Sequence, residues 1–207
     1  MNNEITNIKI SKAKAKRLFL EGYHLAFQTK KKTKPWEKIF DLWYLAANAG
    51  HKRAQFYLGT CYDLGHGTSK DLQLAFDWYL KAAKSGHRDS QYNVGFFFGH
   101  DELSPINHTK KVYWYIKAAN AGLIDAQRDL GFSYFYGEGI KMDYQKAIYW
   151  YKKAAEKNDD KACYNLGLCY KYGDGVTKSK RWAIHYFKKA EKFGHNMAKR
   201  QIKTLTK

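Results

Sequence analysis

Small and aromatic residues recur along this chain at a fixed distance of 36 positions. Gly59, Gly95, Gly131 and Gly167 align in that register. So do Trp78, Trp114 and Trp150, with Tyr186 in the fourth place, and beside them Tyr79, Tyr115, Tyr151 and Phe187. The doublet Ala46-Ala47 returns as Ala82-Ala83, Ala118-Ala119 and Ala154-Ala155, then weakens to Ala190-Glu191. Three residues after each stands Gly50, Gly86, Gly122, Asn158 or Gly194, residue types that tolerate the left-handed backbone ending a helix. A second break, at Gly65/Gly67, Gly137/Gly139 and Gly173/Gly175, falls in three of the units. Two breaks per period predict two helices per period, and hence an all-α stack of helix pairs that packs unit on unit.

In the unit that opens at Ala54 the pattern predicts a first helix to Leu64, a glycine turn, and a second helix from Leu72 to Ser85 with Asp71 as its N-cap; Asp143 repeats the cap. Gly59 falls mid-helix, where glycine costs about 1 kcal/mol against alanine. Its recurrence predicts close approach of the partner helix, with Ala75, Ala147 and Ala183 as the opposing small face.

These residues carry a resemblance. AQFYLGTCYDLGHG, AQRDLGFSYFYGEGI and ACYNLGLCYKYGDGV, each followed by a WYLKAAKSG-like tail, are similar to the Sel1-like repeat, a bacterial and eukaryotic relative of the tetratricopeptide repeat. The resemblance implies an α/α solenoid of about five helix-turn-helix repeats. A divergent capping repeat would cover 14–52, four repeats 53–89, 90–125, 126–161 and 162–197, and a capping helix 198–207. Two departures stand out. The unit from Ser90 replaces its glycine doublet with DELSP (Asp101 to Pro105) at unchanged length, so its turn should change path and keep register. The first unit carries a basic linker, TKKKTKP, before Trp36.

The same resemblance places a partner-binding concave surface on the first helices, at positions counted from the mid-helix glycine. They read Phe56, Thr60, Asp63 and Leu64; Tyr92, Phe96, Gly99 and His100; Arg128, Phe132, Phe135 and Tyr136; Tyr164, Leu168, Lys171 and Tyr172. Aromatics dominate, and an exposed aromatic strip marks an interaction site. The alternative is that several of these rings turn inward and fill the core between repeats. Serine at Phe132 and Tyr136 separates the two: loss of a partner on one reading, unfolding on the other.

Charge changes the picture. Of the formal net charge of +18, residues 1–38 hold +7 and residues 178–207 hold +9, leaving the middle near neutral, so the basic surface is expected at the two ends. A nucleic-acid binder would interleave its cations with the aromatics. Separate cationic ends and aromatic groove argue for solubility and end-capping instead, with an acidic partner or an anionic surface at one pole as the other use.

Little else reads as chemistry. His51, His87 and His195 each follow a helix-stop glycine one per repeat, too far apart to share a metal, and are expected at helix-end contacts. His100, His108, Asp101 and Glu102 flank the DELSP turn without metal-ligand spacing. The glycines of GEGI and GDGV lie between helices with no preceding strand, so they are turns and not phosphate loops. No cofactor, metal or catalytic residue is expected, and the chain reads as a non-enzyme. The N-terminus lacks an apolar signal region, no apolar run nears about 18 residues, and Cys61, Cys163 and Cys169 form no disulfide framework, so a cytoplasmic protein with reduced thiols is expected.

Three functions remain open at this point. The first is a scaffold or adaptor holding a protein or peptide. The second is an immunity protein neutralising a bacterial secreted effector. The third is nucleic-acid or anionic-surface binding through the basic ends.

Overall fold

The computed structural model describes residues 10–30 and 32–206. The first nine residues, Lys31 of the basic linker and Lys207 of the expected capping helix lie outside them, and with them part of the terminal charge. The chain forms two compact units, Met1–Phe97 and Phe98–Lys207. The first holds α1 (Lys12–Tyr23), which runs into a π-helical turn (His24–Gln28), then α2 (Trp36–Asn48), α3 (Lys52–Leu64), α4 (Leu72–Lys84) and α5 (Arg88–Phe98). The second holds α6 (His108–Asn120), α7 (Ile124–Tyr136), α8 (Tyr144–Glu156), α9 (Asp160–Tyr172), α10 (Lys180–Lys192) and α11 (Ala198–Thr206). Every element among the described residues is helical, and the fold is an all-α repeat solenoid.

Caps set the ends. Asp71, Asn107, Asp143 and Ser179, each 36 residues apart, accept from the third residue onward and start the second helices. The first helices begin two residues earlier than expected. Three of them, α3, α5 and α9, start on a cap that leucine and alanine spacing does not reveal: the His51 imidazole accepts from the Ala54 N–H, the His87 imidazole from Ser90, and the Asp159 carboxylate from Ala162, whereas α7 starts as early after Leu123 without a side-chain cap. At the far ends of the second helices Gly50, Gly86, Gly122, Asn158 and Gly194 all take positive φ; Asn158, at 65°, is the one non-glycine described there.

The DELSP unit keeps register as expected. Its α5 stops early, yet the Asn107 N–H donates to the Phe98 carbonyl at 2.7 Å, the bond that Asp143 makes to Tyr134 and Ser179 makes to Tyr170. One closing hydrogen bond thus survives a changed loop path.

Inside each helix pair the mid-helix glycine does what its position predicts. A Cβ on Gly131 would lie 2.7 Å from the Tyr151 ring and 3.2 Å from the Ala147 carbonyl, and one on Gly167 would lie 2.6 Å from Phe187. Large rings therefore pack directly against bare backbone, with Ala147 and Ala183 fully buried beside them. The divergent first unit uses the same device unannounced: Gly22 lies under Trp43, a Cβ there meeting the indole at 2.6 Å. Gly22 precedes its ring by one residue more than Gly131 precedes Tyr151. The π turn, closed by Thr29 N–H to His24 C=O, takes up that extra residue, since each π turn holds one more residue than an α turn.

Between neighbouring pairs the contacts also repeat. Buried Gln55, Gln91 and Gln127 donate Nε2 to the carbonyls of Ala47, Ala83 and Ala119 at 3.2–3.3 Å. The next position in the column is Cys163, which cannot donate so far. There Lys189 Nζ takes over, reaching the Ala155 carbonyl at 2.6 Å.

Candidate functional site

In the first unit Phe56 stacks on His87 with centroids 4.7 Å apart and leans on Tyr79. Asp63 accepts from the Tyr79 hydroxyl at 3.2 Å, and Thr60 meets the same oxygen at 3.3 Å. Burial pushes that phenol well above the usual range, so it stays a donor. Tyr92 is half-buried and Phe96 is exposed, both on α5.

In the second unit α7 and α9 bring part of the expected set together. Phe132 and Tyr136 touch with centroids 4.5 Å apart, Phe135 meets Tyr136 at 4.9 Å, and an open dent is lined by Phe132, Phe135, Tyr136, Tyr151, Asn165 and Leu168. Phe132 is 43% exposed, Tyr136 64% and Tyr172 60%. None of the sixteen residues singled out in the sequence is fully buried. Phe135 and Tyr164 still lean on the interior cluster around Leu166, so the set divides between a half-buried base and an exposed rim.

Two of the residues are engaged elsewhere. Arg128 is only 14% exposed and is gripped by Asp125 and Asp129 at 2.8 Å and by Asp159 at 3.0 Å. Burial works against its charge, but the Asp129 hydrogen bond and the surrounding carboxylates outweigh it and hold the guanidinium charged. Asp159 is also the cap of α9, so Arg128 joins two helices. Lys171 donates to Gln201 Oε1 at 2.8 Å, while Gln201 Nε2 donates to the Tyr164 hydroxyl at 3.2 Å. Tyr164 in turn stacks on His195 at 4.1 Å. The capping helix α11 therefore occupies this end of α9. Both cations of the set are structural ties in this arrangement.

Asn165 is the functional candidate that sequence reasoning passed over. It hydrogen-bonds the Tyr151 phenol, whose pKa burial raises, and its amide lines the dent. The signal was present: Asn93, Asp129 and Asn165 recur two residues before the mid-helix glycines.

The basic surface also has an order by helix. In the second unit α6, α8 and α10 together carry eleven Lys/Arg and two acids, whereas α7 and α9 carry three of each.

The histidines behave as expected of helix-end contacts, and His108 lies with Lys111 on Glu138, at 2.8 and 2.9 Å. The three cysteines are free and buried. Among the described residues no three His, Cys, Asp or Glu side chains are arranged to hold a metal ion, and no helix is long and apolar enough to cross a membrane.

With this geometry in hand, comparison with known proteins is direct. No curated protein matches the chain. Among solved structures, a protective antigen of uropathogenic Escherichia coli displaying an SLR fold is 31% identical, covers 91% of this chain and superposes with a TM-score of 0.85. This chain spans 40% of that antigen's length. A Sel1 repeat protein from Oxalobacter formigenes is 29% identical with a TM-score of 0.80, over 89% of this chain and 75% of its own. An immunity protein of Pseudomonas aeruginosa, 24% identical over 89% of this chain and 67% of its own, shares the fold at a TM-score of 0.55. Sel1 repeat proteins generally serve as protein-interaction scaffolds. The Sel1 repeat profile matches residues 52–87, 88–123, 124–159 and 160–194, well over half of the chain, and the chain belongs to the Sel1 repeat family.

Proposed function

We propose that this protein is a non-catalytic scaffold that holds a segment of a partner protein on the aromatic first-helix face of its second unit. The observation that carries the reading is the dent beside Phe132 and Tyr136. Two rings stand 43% and 64% exposed there, over a floor that offers the Asn165 amide. Exposed rings in contact with one another supply area at low entropic cost. An amide at their base can pair with a peptide backbone. The near-neutral charge of α7 and α9, with Arg128 and Lys171 already engaged, favours an apolar or aromatic segment over an acidic one at this face.

The test pairs wild type with Phe132→Ser/Tyr136→Ser. Peptides selected from a random display library on the wild-type chain should bind the variant at least tenfold more weakly, with the far-UV circular dichroism melt unchanged. Unfolding of the variant, or undiminished binding, overturns the proposal. The immunity reading draws on fold likeness to the Pseudomonas protein alone, and the scaffold reading includes it as the special case in which the partner is a toxic effector. Neutralisation of an effector in co-expression would establish that case.

A further inference from the structure

The second helices of the second unit carry a feature that the partner-binding reading leaves unused. On α6, Tyr113 and Trp114 meet edge to face, at 5.2 Å and 81°, with Lys117 Nζ 5.0 Å from the tyrosine ring and 6.0 Å from the indole. On α8 the same triad recurs 36 residues on: Tyr149 and Trp150 at 5.0 Å and 79°, with Lys153 5.7 Å from Tyr149. On α10 the ring pair alone recurs, as His185 and Tyr186 at 5.1 Å and 83°, because Lys189 bonds the Ala155 carbonyl instead; an exposed Trp182 beside Arg181 joins the pair. In the first unit the leading position is Asp77, so the series there begins with an acid.

Tyr113 and Tyr149 stand 55% and 53% exposed, and Trp182 47%. They do not merge into an apolar patch, because each is flanked by exposed cations: Lys110 and Lys117, Lys152 and Lys153, Lys180 and Arg181. These three helices hold eleven cations against two acids. A bilayer would ask for contiguous apolar side chains, and a duplex for cations without rings. Separate aromatic faces, each beside a cation and one on each second helix, match what unpaired bases on a phosphate backbone require.

We infer that the second-helix face of α6, α8 and α10 binds single-stranded nucleic acid, with Tyr113, Tyr149 and Trp182 stacking on bases and the adjoining lysines and Arg181 on phosphates. Phe132 and Tyr136 take no part.

The experiment uses the full chain and fluorescence anisotropy with a labelled 20-nucleotide oligo(dT), the same strand paired with oligo(dA), and phosphatidylserine-containing vesicles. The single strand should bind more tightly than the duplex. Tyr113→Leu/Tyr149→Leu keeps apolar bulk and helix propensity, and should weaken binding by about fivefold or more per ring removed. Lys117→Gln/Lys153→Gln should flatten the salt dependence by about 1.4 in logarithmic slope. Phe132→Ser/Tyr136→Ser should bind the oligonucleotide like wild type, which separates this surface from the peptide face. The inference is overturned by duplex binding equal to or tighter than single-strand binding, by no loss in the leucine variant, by binding to vesicles alone, or by no binding.

Discussion

Lys81, Lys117, Lys153 and Lys189 occupy one register, 36 residues apart, and only the last leaves its ring to bond a carbonyl. The cause lies one column away. Where Gln55, Gln91 and Gln127 already serve the carbonyl of the preceding alanine doublet, the lysine is free to lie over an aromatic ring. Where Cys163 replaces the glutamine, the Ala155 oxygen keeps its bond from Asn158 N–H at 3.0 Å and lacks its second donor, and Lys189 supplies it. Hydrogen bonds from a charged donor contribute roughly 1.5–3 kcal/mol. The partial exposure of this one, and the partner the oxygen retains, place it at the lower end.

Lys189→Met should therefore cost about 1.5 kcal/mol, a fall in melting temperature of roughly 3–6 °C for a chain of this size. Lys117→Met and Lys153→Met, in the same register, should each stay within about 0.5 kcal/mol of wild type. Adding Cys163→Gln to Lys189→Met should return about 1 kcal/mol, because the amide then reaches Ala155 as its three counterparts reach theirs. Thermal and urea melts followed by circular dichroism measure all four variants. Equal losses at positions 117, 153 and 189, or no recovery in the double variant, would refute the reasoning.

Other consequences can be checked with the same instruments. Arg128→Ala should lose about 2–3 kcal/mol, less than a fully buried pair because Asp125 is exposed, and should do so without altering the aromatic face; a loss under 1 kcal/mol in a urea melt would show that the carboxylates manage without it. The imidazoles of His51 and His87 are held below their usual pKa, first of all by burial, and each caps a helix only when unprotonated. Their stabilisation is present above pH of about 6.5 and drains away as pH falls through the lower folded value. His51→Asn keeps a cap worth about 1 kcal/mol at all pH values, so its melting temperature should overtake wild type on acidification. Burial pushes the thiols of Cys61 and Cys169 up to about 12 and that of Cys163 to about 11, so iodoacetamide at pH 8 should label the folded chain at least about a hundredfold more slowly than the urea-unfolded one.

The repeat, its helix pairs and its glycine-on-ring interior were legible because they are periodic, and a 36-residue offset exposes them without any partner in view. The divergent first unit was less so. Gly22 and Trp43 play the parts of Gly59 and Tyr79, but the residue taken up by the π turn shifts the glycine out of register, and the ring is an indole instead of a phenol. Histidine caps were hidden for a different reason: imidazole acts as an N-cap only when its ring is turned back on the chain, which residue type alone does not fix. The fates of Arg128 and Lys171 depended on Asp159 and Gln201, 31 and 30 residues away, and no local pattern reports such partners.

Charge is the instructive case. Counted along the chain, the excess gathers at the termini; counted by helix, it follows every second element of the second unit. Both counts are correct, and the second adds what the first misses, because a solenoid sends alternate helices to opposite faces and so sorts residues by their place in the period as well as by sequence position. The aromatic residues divide the same way: Phe132, Tyr136 and Tyr172 go with the near-neutral first helices, Tyr113, Tyr149 and Trp182 with the basic second ones. A linear tally merges these two populations into one aromatic excess and one basic excess that seem unrelated. Sorted by helix, they separate into a near-neutral aromatic face, which we propose holds a polypeptide, and a cationic aromatic face, which we propose holds an unpaired polyanionic strand. Substitutions confined to either face should therefore leave the other's binding intact.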